Sequence, residues 1–107
     1  MNHGLPAATV ASIQAVFARF PQVERAILYG SRAKGNFKTG SDIDLTLSGH
    51  GLDQSVLGKI DEELDELLLP YEFDLSIKES LTHTDLLDHI QRVGVVFYER
   101  KPTPAKH

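Results

Sequence analysis

The stretch GSRAKGNFKTGSDIDL, residues 30–45, places a glycine-serine pair, three cations and two aspartates one residue apart within a single short segment. Its last residues decide the reading of everything around it. From Ser41 to Gly49 the chain alternates strictly, Asp42, Asp44 and Thr46 on one side and Ile43, Leu45 and Leu47 on the other, which predicts a half-buried strand. Ahead of the pair, VERAILYG carries the apolar run Ala26 to Tyr29 closed by Gly30, which predicts a buried strand. Between them Ser31 reads as a helix N-cap and SRAKG as a turn or two of helix ending at Gly35.

Working outward, Val10, Ile13, Val16, Phe17 and Phe20 recur at three- and four-residue spacing between Pro6 and Pro21, an amphipathic helix. Val56, Leu57, Ile60, Leu64, Leu67 and Leu68 form a second helical stripe over residues 52–69, with the acidic run from Asp61 to Glu66 on its solvated faces. YEFDLSI predicts another half-buried strand with Glu72, Asp74 and Ser76 on its polar side. Thr82 and Asp85 resemble a capping box for a helix through Leu86, Leu87, Ile90 and Val93 that stops at Gly94. VVFYE is a last strand, expected at a sheet edge, and residues 101–107 read as a frayed tail. Helices and strands thus alternate along the chain, which predicts an α/β (α+β) fold with one small mixed β-sheet flanked by helices.

The 107 residues suit a single domain, 1–107, with its core over about 8–99. Eleven basic against 15 acidic side chains give a net charge of −4, which argues against a broad nucleic-acid-binding surface. Cysteine is absent, so disulfides, thiolate metal sites and cysteine nucleophiles are excluded. No segment has the roughly 18 to 20 apolar residues of a membrane span and the N-terminus lacks a signal-peptide pattern, so a cytoplasmic protein is expected. His3, His50, His83, His89 and His107 give no metal-binding i, i+4 pair, and surface or capping roles suit His83 and His89 best. Tyr29 is expected to pack in the sheet. Exposed apolar residues on the first or last helix are candidate surfaces for a partner or for a second copy of the chain.

In a strand, residues two apart point the same way at a backbone separation of roughly 6.5 to 7 Å, so Asp42 and Asp44 converge and repel unless a cation lies between them. If the YEFDLSI strand is a neighbour with its polar face aligned, Asp74 joins them. Such hard oxygen donors suit Mg²⁺ or Mn²⁺, which complete their coordination with water and substrate phosphates. Two such ions roughly 3.5 to 4 Å apart can clamp the attacking and leaving oxygens of a phosphoryl displacement. Gly30 permits a sharp turn, Ser31 adds a hydroxyl beside unpaired N–H groups that favour phosphate, and Arg32, Lys34 and Lys38 could neutralise further triphosphate charge.

Gly30-Ser31, ten intervening residues and Asp42-x-Asp44 resemble the GS-x10-D-x-D signature of the DNA polymerase beta-like nucleotidyltransferase superfamily. The chain is most similar to the minimal nucleotidyltransferases, MNT proteins often paired with a HEPN-domain protein, over about residues 8–99. The resemblance implies the polymerase beta-like fold, metal binding by Asp42, Asp44 and Asp74, and a general-base role for Asp74 as one option beside simple ligation. It implies that Gly30, Ser31 and Arg32 hold the phosphates of ATP. The implied reaction is transfer of AMP from ATP to an acceptor hydroxyl. For the MNT group the implied acceptor is a tyrosine of a HEPN ribonuclease toxin, with the transferase acting as antitoxin in a type VII-like pair. Two alternatives stay open: a non-catalytic module that masks the HEPN partner, and nucleotidyl transfer to a small molecule or RNA end.

Overall fold

The computed structural model describes residues 4–35 and 42–100. The alternation of elements is as the sequence predicts: α1 (Ala7–Ala18), β1 (Arg25–Tyr29), α2 (Gly30–Lys34), β2 (Ile43–Ser48), α3 (Gln54–Glu66), β3 (Phe73–Ile77), α4 (Thr84–Val93) and β4 (Val95–Glu99), with a 3₁₀ turn at Lys78–Ser80. The strands form one mixed sheet in the order β3-β2-β1-β4. β1 runs antiparallel to β2 and to β4, and β2 runs parallel to β3. The expected edge position of VVFYE is found, and Val96 there is 53% exposed.

The core explains which face each element shows. Ile13, Val16 and Phe17 of α1 and Leu57, Ile60 and Leu64 of α3 pack with Ala26, Leu28, Ile43, Leu45 and Leu47 into one buried cluster. Every one of those strand residues sits at the alternate positions that the apolar pattern selects. The opposite face of β1 carries Ile27 and Tyr29, and α4 lies against it: a Cβ on Gly94, which closes α4, would meet Ile27 Cγ2 at 2.8 Å. The β2–α3–β3 crossover makes β2 and β3 parallel neighbours, as a helical connection of this length allows.

Three local expectations are corrected. Ser31 is not the N-cap of α2; Tyr29 occupies that position, two residues earlier and without a side-chain cap, and Ser31 lies inside the helix, which already begins at Gly30 with φ 79°. Thr82 does not cap α4; His83 does, its Nδ1 accepting from Leu86 N at 3.2 Å, so the capping role expected of His83 is met while the Thr82–Asp85 box is not formed. Thr46 is not on a solvated face but is fully buried, because β2 is an inner strand and the sheet is covered on both sides at that point. The α3 cap, Asp53, accepts from Val56 N at 2.9 Å.

Candidate active site

Register assembles the site. Tyr29 of β1 pairs with Asp44 of β2, and Asp44 pairs with Asp74 of β3, so three side chains from three strands stand in one row on one face. In-register neighbours lie only about 4.5 to 5.5 Å apart at Cβ, so the Asp44 and Asp74 carboxylates share one small volume. Asp42 is the exposed residue immediately before β2, at the mouth of the row. The sequence expects Asp74 to join Asp42 and Asp44 if the two strands are aligned neighbours; the parallel pairing of β2 with β3 sets Asp74 beside Asp44, with Asp42 just outside the paired residues.

The electrostatics record the crowding. Burial raises the Asp44 pKa above its ordinary value, the negative charges of Asp74 and Asp42 add to the rise, and His89 works against it. Tyr29 is also raised, first by burial and further by Asp74 and Asp44, with the Ser76 hydroxyl opposing; its phenol stays neutral across the physiological range.

Gly30 closes over this row. It has φ 79°, and a Cβ there would meet Asp44 Oδ2 at 2.2 Å. Only glycine combines the left-handed backbone with so close an approach. Its N–H donates to His89 Nε2 at 3.1 Å, and the His89 ring stands edge-on to Tyr29 with centroids 6.1 Å apart. The expectation of a surface or capping role for His89 is therefore replaced: it reaches the heart of the site from α4. Periodicity could not reveal this, since 59 residues separate it from Gly30 and a single histidine carries no repeat.

Arg32 turns inward. It is 2% exposed, with its guanidinium 4.9 Å from the centroid of the Tyr71 ring, so it joins α2 to the segment leading into β3. Lys34 is exposed, and Lys38 lies outside the described residues. Beside Asp74 a groove of about 320 Å³ opens between α3 and β3, lined by Gln54, Leu57, Gly58, Asp61, Phe73 and Leu75.

Among the described residues no three acidic, histidine or cysteine side chains close into one ready metal-ligand group. The Asp44 carboxyl is raised by burial first and by the charges of Asp74 and Asp42 second, and a cation at the row would offset both. Hard, anionic oxygen donors in a row fit Mg²⁺ or Mn²⁺ and would suit no soft metal.

The family model described as Polymerase beta, Nucleotidyltransferase matches residues 11–103. The chain belongs to that nucleotidyltransferase family. It is 35% identical over 79 residues, 73% of this chain and 68% of the other, to a Haemophilus influenzae protein named "Probable protein adenylyltransferase MntA". Among solved structures, a toxin-antitoxin crystallised with AMP-PNP shares the fold at a TM-score of 0.68 and 20% identity, over 91% of this chain and 76% of that one. The complex of a tri-AMPylated Shewanella oneidensis HEPN toxin with its MNT antitoxin matches at 0.64 and 19%, over 87% of this chain and 71% of that one. The polymerase beta-like fold expected from the Gly30-Ser31 and Asp42-x-Asp44 spacing is thus the fold found. No helix among the described residues is long and apolar enough to cross a membrane.

Proposed function

We propose that this nucleotidyltransferase moves AMP from ATP to a hydroxyl of a partner protein, a tyrosine of a HEPN ribonuclease toxin, and so acts as the antitoxin of a type VII-like pair. The observation that carries the reading is the row Tyr29, Asp44, Asp74 with Gly30 folded over it: carboxylates and a phosphate-sized turn on one face of one sheet. The family match and the adenylyltransferase relative support the reaction class. The two complexes, whose antitoxin-bearing assemblies share this fold, support the partner.

In this reading Gly30, Ser31 and Arg32 hold the triphosphate: Gly30 by lacking a side chain, Ser31 by its hydroxyl, and Arg32 by placing a buried positive charge behind the turn. Asp42, Asp44 and Asp74 would hold Mg²⁺ or Mn²⁺, which when bound would neutralise phosphate charge and orient the α-phosphate for in-line attack. Asp74 is the exposed carboxylate of the row and borders the α3–β3 groove, so it is the one placed to accept the proton of an incoming hydroxyl. A new acceptor O–P bond then forms as the bond to pyrophosphate breaks. Tyr29, neutral and buried, stiffens the floor beneath the carboxylates. Catalysis of this kind is mostly positioning and charge neutralisation. A cysteine-free chain that uses ATP suits the reducing cytoplasm.

The test is to mix the chain with ATP labelled at the α-phosphate, Mg²⁺ and the neighbouring HEPN protein. Label on the partner is expected. A stable complex that takes up no label would overturn the reading in favour of masking without chemistry, and label on RNA ends or small hydroxylated molecules alone would redirect it to those acceptors.

A further inference from the structure

His89 has no part in any metal or phosphate signature, yet it is fixed at the turn on which the site depends. Its ring is held from two sides. Backbone anchors the helix beneath it: α4 is capped by His83, closed by Gly94 N donating to Ile90 O at 2.8 Å, and seated by Ile90, which is 4% exposed. Tyr29 then meets the imidazole edge-on at an interplanar angle of 81°. What remains is Nε2, which accepts the Gly30 N–H at 3.1 Å. In this bond Nε2 is the acceptor and the peptide N–H the donor.

The geometry constrains one peptide unit. Gly30 sits at φ 79° with its α-carbon against Asp44, so rotation of the Tyr29–Gly30 peptide would swing the turn into or away from that carboxylate. Glycine has the freedom to rotate, and nothing in its own chemistry prevents it. The bond to His89 removes that freedom. It also takes up the Gly30 N–H, so that a triphosphate at this turn is met from Ser31 onward.

We propose that His89 is a positioning residue for nucleoside triphosphate binding: by accepting the Gly30 N–H, it holds the Gly30-Ser31 turn in register with Asp44. The proposal rests on the nucleotidyl-transfer reading above. It also makes α4 part of the nucleotide site.

The experiment compares wild type, His89→Leu, His89→Gln and His89→Asn in the full chain. Three readouts are taken: the dissociation constant for AMP-PNP with Mg²⁺, the amide proton resonance and exchange rate of Gly30, and the melting temperature. Leu fills the space without an acceptor; Gln can place an amide oxygen near the Nε2 position; Asn is too short to do so. His89→Leu and His89→Asn are expected to shift the Gly30 amide, speed its exchange and weaken AMP-PNP binding about tenfold, as loss of the partner of a part-buried donor implies. His89→Gln is expected to return binding to within about threefold of wild type. A purely structural role would lower the melting temperature of all three variants and give Gln no advantage in binding. The proposal is overturned if His89→Leu binds AMP-PNP within twofold of wild type, or if Gln is no better than Leu; should Leu not fold, the Gln and Asn pair decides. Because binding is read without an acceptor, a wild type that binds AMP-PNP but transfers nothing overturns only the transfer reading. A wild type that does not bind AMP-PNP overturns both.

Discussion

Gly30 and Gly35 bracket α2, and both have left-handed backbones, φ 79° and φ 85°. They differ in what a methyl group would meet. At Gly35 no atom of the described residues lies within 4 Å of the new Cβ, whereas at Gly30 it would stand 2.2 Å from Asp44 Oδ2 and 3.2 Å from its Cγ. Gly35→Ala therefore reports backbone strain alone, about 1 to 2 kcal/mol, and lowers the melting temperature by about 5 to 10 °C. Gly30→Ala carries the same strain and must also push the Asp44 carboxylate away. Restoring a contact of roughly 3.5 Å from 2.2 Å moves that oxygen by about 1 Å, a misplacement that lowers turnover about a hundredfold. Steady-state adenylylation kinetics and melting curves on the two variants separate the effects. The expected result is a similar loss of stability in both, with kcat/KM retained within a few-fold in Gly35→Ala and down about a hundredfold in Gly30→Ala. Equal activities in the two variants would refute the claim that Asp44 leaves no room for a side chain at Gly30.

The raised Asp44 carboxyl gives a pH signature. Its folded-state pKa lies above the ordinary carboxyl value, so the folded protein holds the proton more tightly than the unfolded chain, and stability falls as pH rises from about 3.9 through the folded-state value. Asp44→Asn removes that loss: at pH 7 it is expected to melt higher than the wild type, with the gain vanishing near pH 3, while activity falls about a hundredfold or more. Mg²⁺ at ten times its Kd should stabilise the wild type by about 1.4 kcal/mol and so raise its melting temperature, and leave Asp42→Asn with Asp44→Asn unmoved; equal shifts in both, by thermal melts, would place the metal elsewhere. Leu68, 88% exposed and at φ 56° after the end of α3, holds a conformation that glycine adopts without strain, so Leu68→Gly is expected to raise stability by about 0.5 to 1 kcal/mol in chemical denaturation.

Two alternating stretches were enough to place Asp42, Asp44 and Asp74 on polar faces, since period-two patterning is set by burial of Ile43, Leu45 and Leu47 on the other side. That the faces align followed once a helix of the length of α3 joined the strands and made them parallel. The cap of α2 lies at Tyr29, two residues before Ser31, because the left-handed Gly30 already belongs to the helix. Thr46 looked solvated because its polarity matches its neighbours on the strand; only the position of β2 inside the sheet makes it buried. Arg32 read as a cation for phosphate, and its burial over Tyr71 depends on a segment some forty residues away. His89 was invisible for the same reason. Elements and faces are local properties of the chain, whereas the contacts Gly30–His89 and Arg32–Tyr71 exist only when distant elements dock.

The central claim is that the carboxylate row acts by adenylylating the partner. Intact mass spectrometry of the HEPN protein, isolated after co-expression with the wild-type chain or with Asp42→Asn and Asp44→Asn together, tests it most directly. The account predicts one or more AMP additions on a tyrosine with the wild type and none with the double variant, although both remain folded. An unmodified partner that is nonetheless neutralised equally by both chains would contradict it.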